Sequence, residues 1–293
     1  MKFPVILLCA CAMAFAQRGT TVDAHNCYPY NGRWADRIER ALSTGTPIAI
    51  EQDLLWDGTR SLVSLGKPVD GTEPSMRDYF FERIRPIMEK ALHDGRKQDW
   101  PLITLNLDFK SDEAEHHAAV WKLLGEYEPW LTTAVRSKDP EEVTPLHWGP
   151  LLVLTGEQDS QERDFHDIVP VGGSLRAFGA VHALVHAGNY RRWSNNPWEV
   201  AEPDGQLKAG EWTDADQARL QALVDRAHSL GLWIRFYTLN GHPASDERTN
   251  GWEHGYNFGS RARVEARWRA AILAHVDYIA TDQYEELAKF KAR

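Results

Sequence analysis

Cysteine is scarce in this chain, at positions 9, 11 and 27 only. Cys9 and Cys11 fall in a stretch with the marks of an export signal. Basic Lys2 precedes an apolar run from Val5 to Phe15, and Ala14-Phe15-Ala16 offers a small-x-small cleavage site. Cleavage there leaves Cys27 alone, and a single thiol excludes an intrachain disulfide. Long apolar runs are lacking too. Val5 to Phe15 is shorter than the roughly 20 residues a helix needs to cross a bilayer, and Arg18 soon follows. The expectation is a secreted or periplasmic protein with a signal peptide over residues 1–16, a mature chain over 17–293 and no transmembrane segment.

Positive charge is the minority, 33 Lys and Arg against 42 Asp and Glu, a formal net charge of -9. That argues against a nucleic-acid backbone as partner. It leaves room for a small phosphorylated molecule, because a metal ion and one lysine can reverse the field inside a pocket. Neither a Ser/Gly linker nor a long charge run divides the chain. No Gly-rich strand-to-helix turn of the dinucleotide or phosphate-loop kind follows the first strand, which counts against a doubly wound open sheet.

Short apolar runs recur between amphipathic stretches. Thr21 to Ala24, Pro47 to Asp53, Leu102 to Phe109, Leu131 to Val135, Leu151 to Thr155, Leu175 to Ala180, Leu232 to Thr238 and Asp277 to Thr281 read as eight buried strands. Trp34 to Leu42, Tyr79 to Leu92, Glu113 to Leu124, Ala215 to Leu230 and Val264 to Ala274 carry apolar residues at helical spacing. This alternation predicts an α/β fold, a single-domain (β/α)8 TIM barrel. Asn189 to Trp212, with Tyr190, Arg191, Arg192, Trp193, Trp198 and Trp212, reads as an irregular insertion, either a functional lid or a packing flap.

Glu51 and Asp53 lie two apart at the end of the second strand, so both side chains point toward the barrel mouth. Like charges so close are unfavourable unless a cation or a proton lies between them, and hard oxygen donors suit Mg²⁺ or Ca²⁺. Alone, the spacing also fits two solvated strand-end acids. Asp108 and Lys110 repeat the geometry one strand on, as a third ligand beside an ammonium that can neutralise a phosphoryl oxygen, or as a plain salt bridge. His25 ends the first strand, where an imidazole can act as general base or nucleophile. Three such strand ends make a pocket a better reading than coincidence.

Ala24-His25-Asn26, Ile50-Glu51-Gln52-Asp53, Leu107-Asp108-Phe109-Lys110, Trp233 to Asn240 and Val276 to Asp282 resemble the motifs of the phosphatidylinositol phospholipase C-like phosphodiesterase superfamily, which includes the glycerophosphodiester phosphodiesterases. Within it, the His-Asn opening and Leu152 to Gly156 are most similar to bacterial relatives of the altered-inheritance-of-mitochondria branch. The resemblance implies Glu51, Asp53 and Asp108 as ligands of a divalent cation, Mg²⁺ or Ca²⁺, and His25 as one of two catalytic histidines. It gives Lys110 the phosphate, and Asn26, Lys110 and Tyr237 the substrate, a small-molecule or lipid phosphodiester. One departure stands out. Where the family has His-Asp after Asp57-Gly58, this chain has Ser64-Leu65, neither of which is a good acid near pH 7. His147, His166, His182 and His186 are the candidates for a relocated acid, each with a structural role as its alternative.

Overall fold

Ile48–Trp56 is buried over all but its last residue, as a strand covered on both faces must be, and it is the axis on which the architecture turns. In the computed structural model, residues 19–29, 35–66, 69–243, 245 and 254–293 are described. The expected signal peptide, 1–16, lies outside them.

The strands are β1 (Thr21–Ala24), β2 (Ile48–Trp56), β3 (Ser61–Val63), β4 (Ile103–Phe109), β5 (Thr133–Val135), β6 (Leu146–His147), β7 (Leu151–Thr155), β8 (Ser174–Leu175), β9 (Phe178–Ala180), β10 (Arg191–Pro197), β11 (Trp233–Tyr237) and β12 (Tyr278–Thr281). Parallel pairing runs β1-β12-β11-β10-β9-β7-β4-β2, and β1 closes on β2. Around the ring lie α1 (Arg37–Ser43), α2 (Glu82–Asp94), α3 (Ala114–Glu126), α4 (Asp159–Glu162), α5 (Asp214–Ser229), α6 (Arg261–Leu273) and α7 (Tyr284–Lys291). The chain is a (β/α)8 TIM barrel. No helix among the described residues is long and apolar enough to cross a membrane.

Local chemistry sets the helix ends. Thr213 and Asp216 form a capping box at the start of α5. Gly95, at φ 66°, ends α2 in the left-handed conformation that glycine adopts without strain. Strand alternation then separates two cores. Ala49, Leu152, Leu154, Phe178, Ala180 and Trp193 fill the barrel, while Ile50, Leu105, Val153, Ile234 and Ile279 pack in the main core with the helices.

Two strand assignments change. Leu131 to Val135 is not a barrel strand. Leu131 bridges Leu151, and the chain then leaves as β5 into a three-stranded antiparallel sheet with β6 and β8. Leu175 to Ala180 is likewise split, β8 joining that side sheet and β9 the barrel. The missing barrel strand is β10, inside the expected insertion. It carries few aliphatic residues because its polar side chains are satisfied internally. Arg191 pairs with Glu162 and Asp159 at 2.7 and 2.8 Å, and the Trp193 indole donates to the Thr155 carbonyl at 2.9 Å. Trp198 is buried against Phe236 and Trp212, so this part of the segment packs on the barrel.

Candidate metal centre at the barrel mouth

Parallel register builds the site. Asp53 stands beside Asp108 and Glu51 beside Asn106 across the β2–β4 pair, so one side chain from each strand end meets its neighbour. Ligand oxygens of Glu51, Asp53 and Asp108 lie within 4.8 Å of one another. Glu51 and Asp53 are buried, and Asp108 is half-buried. Neither Asp53 oxygen accepts a hydrogen bond. Lys110 Nζ is 3.2 Å from Asp53 Oδ2, close enough to pair by charge but misaligned for a hydrogen bond, and 2.7 Å from Asp108 Oδ2. Burial, with Glu51 and Asp108 adding repulsion, pushes the Asp53 carboxyl well above the usual range. A carboxyl buried with both oxygens unbonded costs free energy in its charged form unless a proton or a cation neutralises it. Three hard oxygen donors around that point fit Mg²⁺ or Ca²⁺.

His25 sits on the β1 side. Its Nδ1 is 3.1 Å from Asp282 Oδ1, and its Nε2 is 3.7 Å from Glu51 Oε1. Burial depresses the imidazole, but Glu51 and Asp282 outweigh it and push the pKa up to about 9. Asp282 is itself held by Asn240 Nδ2 on Oδ2 at 2.6 Å and by Asn26 Nδ2 on Oδ1 at 2.8 Å. Asn26 adopts φ 52°, and its side-chain Oδ1 accepts from the Tyr28 hydroxyl at 2.7 Å. Its amide is thus spent on holding Asp282 and Tyr28 while it lines the cavity.

Arg235 closes the floor. It pairs with Asp23 at 2.5 Å and with Glu51, and donates to Asn195 Oδ1 at 2.8 Å. Burial raises the Glu51 carboxyl, but His25 and Arg235 outweigh it and hold the group below its ordinary value. Burial also raises the Tyr237 hydroxyl. These groups face one cavity of about 450 Å³, whose lining also includes Leu65, Tyr237 and Tyr256.

All seven expected site residues come together except that Asp53 lies beneath the cavity lining, beside Glu51 and Asp108. The four candidates for a relocated acid do not join them. His147 is exposed on β6 in the side sheet, His166 is buried against Asp167 and Asn189, His182 pairs with Asp159 and His186 is exposed. Leu65 is at the cavity wall, and His25 is the one imidazole among its described lining residues. Reading by sequence missed Asp23, Arg235, Asn240 and Asp282. Asp282 had a signal, since it directly follows the last strand as His25 follows the first.

Barrel and cluster together define a TIM-barrel protein whose mouth carries an acidic cluster able to take a divalent cation. No protein-family model matches the sequence, and no curated protein does. Among solved structures the chain is similar to Plasmodium falciparum HPPK-DHPS with STZ-DHP, at 9% identity and a TM-score of 0.45, over 94% of this chain and 47% of that one. It spans about half the length of that protein. It is also similar to Thermotoga maritima Cel5A in complex with cellobiose, at 11% identity and TM-score 0.45 over 89% of each chain. A third likeness is to ZgEngAGH5_4 in complex with a cellotriose, at 10% identity and TM-score 0.44 over 95% of this chain and 96% of that one. Likeness at this level says nothing of chemistry, which has to come from the site.

Proposed function

We propose that the chain is a metal-dependent phosphoric diester hydrolase of the phosphatidylinositol phospholipase C-like kind, acting outside the cytoplasm on a glycerophosphodiester, phosphoinositide or similar small phosphodiester. The observation that carries this reading is the meeting of His25, Glu51, Asp53, Asp108 and Lys110 at one end of one cavity. Glu51, Asp53 and Asp108 would hold Mg²⁺ or Ca²⁺, which when bound supplies Lewis-acid charge to the phosphoryl oxygens. Asp282 fixes the imidazole through Nδ1, so Nε2 is the atom left to take or give a proton at the reacting oxygen. Lys110 places an ammonium where negative charge grows on the phosphoryl group. Tyr237 and Tyr256 wall the cavity.

A second reading, a barrel that binds a phosphorylated ligand or carbohydrate without turnover, is favoured by His25 being the one imidazole among the cavity's described lining residues. Hydrolysis of bis(4-nitrophenyl) phosphate separates the two. Turnover that stops with chelator, returns with Mg²⁺ or Ca²⁺ and falls at least about 10²-fold in His25→Ala supports the hydrolase. Turnover indifferent to both chelator and His25→Ala rules out this site. No turnover, with phosphate still bound, supports the binder.

A further inference from the structure

Two cations serve the acidic cluster, and they are held differently. Arg235 is buried and engaged by three acceptors, of which only Glu51 belongs to the cluster. It is a fixed part of the floor. Lys110 has 27% of its side chain open to solvent, and both of its partners, Asp53 and Asp108, are proposed ligands. Its backbone is pinned, the amide donating to the Leu54 carbonyl at 2.7 Å. Only the flexible four-carbon stem is free to move. The ammonium therefore stands where two of the three ligands would meet a metal ion, and an ammonium and a divalent cation cannot share those oxygens without strong repulsion.

We propose that Lys110 is an exchangeable counterion: a divalent cation entering between Glu51, Asp53 and Asp108 displaces its ammonium from the two aspartates, and the released ammonium then becomes a ligand for phosphate. This rests on the metal site proposed above. The metal thus contributes twice to anion binding, by its own charge and by freeing a lysine that the carboxylates otherwise neutralise. By linkage, phosphate tightens the metal by the same factor. Lysine suits the role because its head is a compact charge on a flexible stem, whereas an arginine would clamp two carboxylates with a planar fork.

Calorimetric titration of the whole protein with Mg²⁺, then with inorganic phosphate in the absence and presence of Mg²⁺, tests this without reference to turnover. In the wild type, Mg²⁺ should tighten phosphate on the order of 100-fold. Lys110→Met should bind Mg²⁺ about tenfold more tightly, since the competitor is gone, and should retain only about a tenfold effect of Mg²⁺ on phosphate. Lys110→Arg should move Mg²⁺ affinity the opposite way, about tenfold weaker, and it keeps the test alive if the methionine variant does not fold. Opposite shifts in the two variants establish the exchange. Unchanged or weaker Mg²⁺ binding in Lys110→Met, with Mg²⁺ still bound by the wild type, overturns the exchange and leaves the metal site standing. A wild type that binds no Mg²⁺ or Ca²⁺ at all overturns the site itself.

Discussion

The two sides of the polar layer at the barrel mouth are built from the same residue types and end in opposite states. On the Arg235 side, Asp23 and Glu51 each receive a guanidinium hydrogen bond, and Asn195 takes the third. On the Lys110 side, Asp53 is as deeply buried and receives none. The first arrangement is held by hydrogen-bonded ion pairs in the folded chain, with Asp23 Oδ1 left without a hydrogen bond. The second is paired with Lys110 by charge alone at Asp53, both of whose oxygens lack a hydrogen bond, and that difference separates Asp53 from the acids that Arg235 holds.

Breaking the Arg235 side has the largest effect. Arg235→Met leaves two buried carboxylates without their cation and should destabilise the fold by about 3–5 kcal/mol, read from urea unfolding. A loss under about 1 kcal/mol would place that ion triad on a par with surface pairs. Next is cation binding on the Lys110 side. Mg²⁺ at a hundredfold excess over its dissociation constant should stabilise the protein by about 2.7 kcal/mol, seen as a raised melting temperature, and Asp53→Asn should abolish the shift.

A buried histidine outside both regions sharpens the comparison. His116 touches the Ser61 and Ser111 hydroxyls and stacks on Trp56, with burial pushing its pKa down to about 4. His25, equally buried, is raised by its two carboxylates. Because the unfolded chain titrates near 6.5 and the folded one near 4, the His116 contribution is fully present above pH 6.5 and is lost as pH falls toward 4. The loss should be about 3 kcal/mol. His116→Asn should flatten that limb of the stability curve measured between pH 7 and pH 4. The smallest effect belongs to metal-free Asp53→Asn, which relieves repulsion with Glu51 and Asp108. It should be about 1 kcal/mol more stable than the metal-free wild type. Destabilisation instead would mean that the Lys110 pairing outweighs that repulsion.

The parts of the site that the sequence makes legible are those in which several chemical groups fall on one strand end. Glu51-x-Asp53 and Asp108-x-Lys110 announce themselves because strand alternation turns each pair to one face, and parallel register brings Asp53 beside Asp108. The eight-strand barrel is legible for the same reason, as alternating buried runs and helical stretches. Membership of the ring is not. An apolar run such as Leu131 to Val135 suits a barrel or a side hairpin equally. Arg191–Pro197 conceals a barrel strand because its arginines find partners only after folding. Asp23, Arg235 and Asp282 are silent for a related reason. Each is a single polar residue whose charged partner lies more than 180 positions away, as with Arg235 to Glu51 (184 positions) and His25 to Asp282 (257 positions). The missing second histidine is legible as a gap, with Ser64-Leu65 where the family has His-Asp, but that Leu65 reaches the cavity wall is a spatial fact.

The central claim, that the mouth of this barrel is a divalent metal site, is tested most directly by anomalous diffraction from a crystal soaked in millimolar Mn²⁺. The expected result is a single strong peak between the carboxylates of Glu51, Asp53 and Asp108, with the Lys110 side chain turned away from it. An empty mouth with Lys110 still lying between Asp53 and Asp108, or a peak bound elsewhere, would contradict the account.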